Sequence, residues 1–287
     1  MADTLTEWKD PKMTISVNTN TGALVALQNL NATNGQLETV QNRISTGLKV
    51  ASAKDNGGAF AIAQKLRSDV RSLDVVDQSL SRVGSLVDVA SAAGQAISDL
   101  LLDLKEKALA ATDTSLDATS RTALNEDFKA LRDQIKTIVD NASFNGTNLI
   151  NNSTNSVAAL ASATGASSIT VLDEALQLSG SIVTVTTTEQ INTITNAKAA
   201  LTAVNASLTN VNAALARLGT KSKALEIQKN FVTKLSDALT ASIGNLVDAD
   251  LAKESAKLQS LQVKQQLGVQ ALSIANQGPQ TILGFFQ

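Results

Sequence analysis

The sequence contains no cysteine, histidine or tyrosine, and aromatic residues make up 2% of its 287 positions. Without histidine or cysteine, the commonest catalytic bases, thiol nucleophiles and soft metal ligands are missing. A serine–histidine–aspartate triad and a disulfide framework are therefore excluded. Because a compact enzyme of this length usually fills its core with aromatic side chains, their scarcity also argues against an ordinary globular catalyst.

Proline is almost absent as well, since it occurs only at Pro11 and Pro279, and long helices can run between these positions without interruption. The net charge of -2 provides no basic surface that would attract nucleic acid. Residues 1–12 are too polar for a secretory signal, and no later stretch approaches the length needed to cross a bilayer. We therefore expect neither nucleic-acid binding nor membrane insertion.

The hydrophobic residues, 43% of the chain, are mostly small or aliphatic and follow helical spacings. In residues 62–104 they recur at alternating steps of four and three, which predicts one long coiled-coil helix. The same spacing in residues 124–142 and 197–246 predicts two further helices. The Asn145-Gly146 dipeptide predicts a tight turn after the helix at residues 124–142.

Residues 151–190 are rich in serine, threonine, asparagine, alanine and glycine, and break the helical pattern. Alternation in Ser181–Thr186 predicts a short strand there. We expect the segment to face solvent. Its hydroxyl side chains, from Ser153 to Thr188, are candidate sites for O-linked glycans; the alternative is that they only keep the segment soluble.

The two ends of the chain differ from the middle because their helical segments are apolar on more than one face. A helix of this kind must be covered by more than one neighbour, and pairing the two ends hides one stripe only. We therefore expect other copies of the chain to cover the rest. The residues predicted to lie at contacts between copies are Leu27, Leu30, Leu37, Ile44, Leu251, Leu258, Leu261, Val263, Leu267, Leu272, Ile274, Leu283, Phe285 and Phe286.

Six short motifs, in order along the chain, resemble those of bacterial flagellins. They are ISVNTN at 15–20, LQNLN at 27–31, RISTGLKVASAKD at 43–55, ASFNGT at 142–147, DADLAKE at 248–254 and ANQGPQ at 275–280. The resemblance covers both ends and most of the helical middle. The short central region makes the chain similar to the small flagellins of alphaproteobacteria.

The resemblance implies a mainly α fold with long antiparallel coiled-coil helices, paired terminal helices and a small central region of loop and short β-strand. Residues 1–12 form an extra leader before the point where family members begin. Carried over by position, residues 13–56 and 248–287 are the inner-tube segments. Residues 57–146 and 191–247 are the two halves of the coiled-coil domain, and residues 147–190 are the variable surface region.

The same resemblance implies a structural role outside the cell. The subunit is expected to leave the cell unfolded through the flagellar type III system, to join the filament tip and to support motility. Its expected partners are other copies of itself, hook–filament junction and cap proteins, and an export chaperone at the C-terminal segment. No cofactor or metal is expected.

Two other interpretations remain open from the residues alone. A hook–filament junction protein resembles flagellin at its ends but occurs in few copies; the motifs at 248–254 and 275–280 favour the filament subunit. A carboxylate enzyme in a helical bundle could use Asp248 with Asp250, or Asp173 with Glu174. Helix capping and a solvated helix face explain these carboxylates more simply.

Overall fold

The computed structural model describes residues 19–283, with side chains as far as Gln277. This range contains five helices and two strands. They are α1 (Thr21–Thr46), α2 (Gly57–Ala110), α3 (Ala118–Asn141), β1 (Ser156–Leu160), β2 (Ser168–Leu172), α4 (Ile194–Val247) and α5 (Leu251–Leu283). The prediction of a mainly α fold with long helices and a small β element is confirmed.

The chain divides into two compact units. Among the described residues, the terminal unit comprises those up to Lys65 and those from Ser242 onward, and the middle unit is Leu66–Ala241. This division describes packing within one chain, and the domain boundaries drawn from the sequence at 57, 147, 191 and 248 stay predictions.

The middle unit is built on α2 and α4, which run antiparallel. Gly94 of α2 lies against Leu215 of α4, and further along the pair the Lys229 Nζ donates a hydrogen bond to Ser81 Oγ at 3.0 Å. The heptad stripe predicted for α2 is buried from Leu73 onward. Its buried members are Leu73, Val76, Leu80, Val83, Val87, Ala90, Ile97, Leu101 and Leu104. The apolar spacing therefore identifies the face that packs.

Helix α3 begins earlier than the predicted segment 124–142, at Ala118, and ends at Asn141, just before the predicted turn. Asp117 caps it by accepting a hydrogen bond from the Ser120 N–H at 3.2 Å. Phe128 and Ile135 are fully buried in the core. After the helix ends, Asn145 and Gly146 have φ values of 50° and 78°, which produce the predicted tight turn.

The β element is an antiparallel hairpin, in which Ser156 pairs with Leu172 and Leu160 with Ser168. The prediction of a strand at residues 181–186 is wrong. Val183 and Val185 do alternate toward the core and are fully buried. However, Thr184, which lies between them, does not pair with a strand. Its N–H donates a hydrogen bond to Ser207 Oγ on α4 at 2.9 Å.

The sequence predicts that the central segment faces solvent. The structure shows that part of this segment is buried instead. Apolar side chains within residues 147–190 are completely buried in the core of the middle unit, among them Leu149, Ile150, Leu176, Val183 and Val185. Polar contacts anchor it as well. The buried Asn125 side chain on α3 accepts a hydrogen bond from the Ile191 N–H at 2.8 Å, and Arg132 donates to the Glu189 carbonyl at 2.7 Å.

One stretch of α2 is apolar and long enough to cross a membrane by length and composition, with a mean hydropathy of 1.2. The sequence-based statement that no stretch reaches this length is therefore wrong. The same helix supplies Leu80, Val87 and Ile97 to the core of the middle unit. A core helix of a folded protein explains this composition without a membrane.

Candidate assembly interface

Helices α1 and α5 begin their antiparallel pairing at a short backbone bridge between Leu48 and Asp248. Gly47, at φ 71°, ends α1 in the left-handed conformation that glycine adopts without strain. Its carbonyl accepts a hydrogen bond from the Ala249 N–H at 2.8 Å. Asp250 then caps α5 by accepting from the Lys253 N–H at 3.1 Å. The end of α1 and the beginning of α5 are thus held together at this point.

The turn between α1 and α2 is organised by Asp55. Its Oδ2 accepts hydrogen bonds from the N–H of Ser52 at 2.8 Å and from the N–H of Ala51 at 3.1 Å. The hydrogen bonds from Ser52 are the main reason that the pKa of Asp55 lies below its ordinary value. In the same unit, the buried residues Val50, Ala63 and Val247 form a small apolar cluster.

Three polar contacts tie α1 to α5 along their length. Near the Leu48–Asp248 bridge, Arg43 Nη1 lies 3.1 Å from Glu254 Oε1. Further along, Gln265 Nε2 donates to Asn34 Oδ1 at 2.8 Å. At the far end, the Asn20 side chain donates to the Ala275 carbonyl at 2.7 Å. These contacts confirm that the ends of the chain are paired.

Part of the predicted contact set faces the partner helix within the same chain. Leu261 is buried, and the others on this side are half-buried: Leu30, Leu37, Ile44, Leu258 and Leu272. The two helices are close together at Gly268, where an added Cβ would lie 3.3 Å from Leu30 Cδ1. These side chains therefore form the α1–α5 contact itself.

Five further members of the predicted set have little cover in a single chain. These side chains are exposed: Leu27 by 43%, Leu251 by 49%, Val263 by 55%, Leu267 by 58% and Ile274 by 69%. Leu283, Phe285 and Phe286 lie outside the residues whose side chains the structure describes. Two exposed valines, Val25 and Val269, were missed because they stand off the heptad stripes that the sequence search followed.

The exposed side chains on α5 share one face. At 3.6 residues per turn, Val263, Leu267 and Ile274 fall close together and nearly opposite Leu261, which faces α1. A contiguous exposed apolar surface of this kind normally marks a contact with another molecule. The prediction of two apolar faces on the last helix thus describes the geometry of α5, while its assignment to contacts between copies stays a prediction.

One member of each carboxylate pair has a structural role. Asp250 is a helix cap, and Glu174 is bound by Arg217. Among the described residues, no group of three or more acidic side chains is placed to hold a metal ion. The candidate glycan sites lie partly on the surface. Exposed hydroxyl residues there are Ser153, Ser156, Thr164, Ser167, Ser168, Thr170, Ser179, Ser181, Thr186, Thr187 and Thr188.

Comparison with known proteins gives matches at both ends of the chain. The model of the bacterial flagellin N-terminal helical region matches residues 17–155, and that of the C-terminal helical region matches residues 201–286. The chain is 52% identical to flagellin FljK of Caulobacter vibrioides, over 95% of this chain and 98% of that protein. It is 36% identical to a flagellin of Brucella melitensis, over 95% of this chain and 99% of that protein.

Among solved structures, the chain resembles one described as a flagellar hook-associated protein from Vibrio parahaemolyticus. The TM-score is 0.56 and the identity 13%, over 68% of this chain and 100% of that one. At this identity the likeness concerns the fold alone.

Proposed function

This chain belongs to the bacterial flagellin family, and we propose that the exposed apolar faces of α1 and α5 are the surfaces through which its copies assemble. The chain is a structural subunit of the flagellar filament, lies outside the cell, supports motility and is not an enzyme. Its relatives are flagellins of alphaproteobacteria. Export in an unfolded state and addition at the filament tip are general to the family.

The observation that carries the proposal is the uncovered stripe on α5. Val263, Leu267 and Ile274 are each more than half exposed, on the side of the helix away from α1. Full burial of one such side chain stabilises an interface by about 1.5–3 kcal/mol. Three of them on every copy supply a driving force for adding subunits that is absent from a single chain.

Substitution of Leu267 by aspartate tests this assignment. Leu267→Asp places a charge where the proposal requires a dry contact, and an unpaired charge is costly to bury. Because Leu267 is 58% exposed in one chain, the substitution leaves the α1–α5 contact intact. Leu258→Asp is less specific, since Leu258 is half-buried on the side that faces α1.

The matched control is Gln262→Asp, which adds the same charge to an exposed position on a different face of α5. We expect seeded polymerisation, followed by light scattering and electron microscopy, to fail for Leu267→Asp and to continue for Gln262→Asp. Normal filaments from Leu267→Asp contradict the assignment of this stripe. Equal failure of both variants contradicts its specificity.

Further partners follow from the same proposal. Copies at the two ends of a filament need different neighbours, and we infer that hook–filament junction and cap proteins contact the terminal helices there. An export chaperone is expected to cover residues 248–287 before export, because the apolar stripe of α5 would otherwise face the cytoplasm. Deletion of residues 263–287 should abolish co-purification of such a chaperone.

We also propose that some exposed hydroxyl residues between Ser153 and Thr188 carry O-linked glycans. Their exposure makes them accessible to a modifying enzyme. The intact mass of subunits from native filaments decides this, because an unmodified mass rules the glycans out.

A further inference from the structure

The chain contains three asparagine–glycine steps, at Asn34-Gly35, Asn56-Gly57 and Asn145-Gly146. In such a step the backbone nitrogen of the glycine can attack the amide carbon of the asparagine side chain. Glycine permits this attack best, since it has no Cβ to obstruct its nitrogen and leaves the backbone the most freedom. Whether a given step reacts therefore depends on how firmly the fold holds it.

Two of the three steps are held by helices. Asn34 and Gly35 lie inside α1, where the backbone dihedral angles are fixed, and Asn34 Oδ1 accepts a hydrogen bond from Gln265 Nε2 at 2.8 Å. Asn56 directly precedes α2, and its Oδ1 accepts a hydrogen bond from the Ala59 N–H at 3.0 Å, as a helix cap does. In both steps, hydrogen bonds must break before the side-chain amide can turn toward the next nitrogen.

The third step is held much less firmly. Asn145 and Gly146 are exposed, and they form the turn with φ values of 50° and 78°. Two backbone hydrogen bonds between Phe144 and Thr147, at 2.9 and 3.0 Å, close this turn. Within the described part of the chain, the Asn145 side chain and the Gly146 N–H have no hydrogen-bond partner. Since exposed turns open locally at low cost, the amide can reach the Gly146 nitrogen without the unfolding of a helix.

We propose that Asn145 is a site of spontaneous deamidation in the assembled filament. The Gly146 nitrogen attacks Asn145 Cγ, so that a new C–N bond forms and the bond between Cγ and Nδ2 breaks. The proton of the Gly146 N–H leaves with Nδ2 as ammonia, and a cyclic imide remains. Water then opens the imide at either of its carbonyl groups, which gives aspartate or isoaspartate. Water is the only co-reactant in this sequence.

The products change a connection that leads into the core. The turn follows α3 and precedes Asn148 and Leu149, both of which are buried. Either product adds a negative charge to the subunit. Isoaspartate also inserts an additional carbon into the main chain, which disturbs the pairing of Phe144 with Thr147. Converted subunits are therefore more acidic, and their turn is altered at the point where the chain enters the core.

The reactivity of the three steps can be compared in one protein. Native filaments and urea-unfolded chains are incubated at mildly alkaline pH, and conversion of each asparagine is followed by peptide mass spectrometry with fragmentation. In the unfolded chain we expect similar rates at all three steps, because no fold distinguishes them. In filaments, Asn145 should convert at least about tenfold faster than Asn34 or Asn56, equivalent to a difference of ~1.4 kcal/mol in the barrier.

Asn145→Gly is the matched control, because glycine keeps the positive φ of the turn and removes the reactive amide. Its filaments should show no mass gain at residue 145 and the same slow conversion of Asn34 and Asn56. If filaments protect Asn145 as strongly as the other two asparagines, or convert Asn34 or Asn56 first, the proposal is overturned. The measurement does not depend on which surfaces join the copies, so it is independent of the outcome for Leu267→Asp.

Discussion

The carboxylate of Glu174 shows how a residue that suggests chemistry in the sequence acts structurally. Arg217 donates two hydrogen bonds to it, from Nε to Oε1 at 2.7 Å and from Nη2 to Oε2 at 2.5 Å. Glu174 is 7% exposed. The hydrogen bond to Glu174 raises the pKa of Arg217 above its ordinary value. This bidentate ion pair joins the segment after β2 to α4 within the middle unit.

Removal of the Arg217–Glu174 ion pair should lower the free energy of unfolding of the middle unit. Arg217→Ala leaves the Glu174 carboxylate buried without its partner, which costs about 1–3 kcal/mol for a charged hydrogen-bonding group. Because the Arg217 side chain is 55% exposed, water replaces part of the loss, and we expect the lower half of that range. Urea unfolding measures the change. Lys223→Ala breaks an exposed ion pair instead and should cost at most about 1 kcal/mol.

Asp173, which precedes Glu174 in the chain, is expected to make the stability of the middle unit depend on pH. Burial, and to a lesser extent the charge of Glu174, raise the pKa of Asp173, whose two carboxylate oxygens are buried without a hydrogen-bond partner. A carboxyl whose pKa is higher in the folded state destabilises that state once pH rises above its ordinary value of 3.8. Asp173→Asn should therefore raise the unfolding midpoint at pH 7.

The gain from Asp173→Asn should disappear as the pH falls below the ordinary value of the carboxyl, where aspartic acid is neutral in both states. Thermal unfolding of both proteins across this pH range provides the measurement. A gain that persists equally at low pH would indicate that shape or hydrogen bonding, and not charge, is responsible.

At the scale of elements, the helices were predictable and the central segment was not. Heptad spacing is local information, and it located α2, α3 and α4 and most of their buried faces. The alternation of Val183 and Val185 was also a true burial signal. Whether such a segment becomes a strand depends on a partner for its backbone, and here the Ser207 side chain on α4 takes that role. A partner distant in sequence leaves no local pattern.

The candidate interface was partly predictable for the same reason. Spacing alone indicates that α5 has two apolar faces, and Val263 and Leu267 are exposed as the second face requires. Spacing does not reveal which stripe meets α1. The spacing of Leu251 from Leu258 and Leu261 predicts that all three lie on one buried stripe, but Leu251 is 49% exposed. It stands in the first turn of α5, just beyond the Asp250 cap, where the helix has only begun to run beside α1.

Two glycines of α2 allow packing and helix propensity to be separated. Gly84 has no atom within 4 Å of an added Cβ, whereas at Gly94 a Cβ would lie 2.8 Å from Leu215 Cδ2. Gly84→Ala should therefore stabilise the middle unit by about 0.5–1 kcal/mol through helix propensity. Gly94→Leu should destabilise it by about 1–3 kcal/mol through overpacking.

Chemical unfolding of the two variants against the native protein provides the comparison. A stabilising Gly94→Leu would mean that α2 and α4 are less tightly packed at this level than the structure indicates.

At the scale of the whole molecule, the two units differ in how many of their side chains are buried within a single chain. The middle unit has a continuous core contributed by α2, α3, α4 and the central segment. Within α1, all of which the structure describes, Val40 is the buried side chain. Along the described part of α5, Glu254 and Leu261 are buried. Since ordering each residue costs about 1–2 kcal/mol of backbone entropy, we expect these helices to need neighbouring copies to stay ordered.

Limited proteolysis should therefore give different results before and after assembly. In soluble subunits, trypsin should cut first in the terminal segments, where Arg43, Lys49, Lys253 and Lys264 provide sites, and leave a resistant fragment close to Leu66–Ala241. In filaments the same sites should be protected, because neighbouring copies cover the exposed stripes and local opening becomes rarer. Mass spectrometry of the fragments identifies the cuts. Terminal segments that resist trypsin equally in soluble subunits would show that one chain stabilises them alone, and neighbouring copies would then not be needed to order α1 and α5.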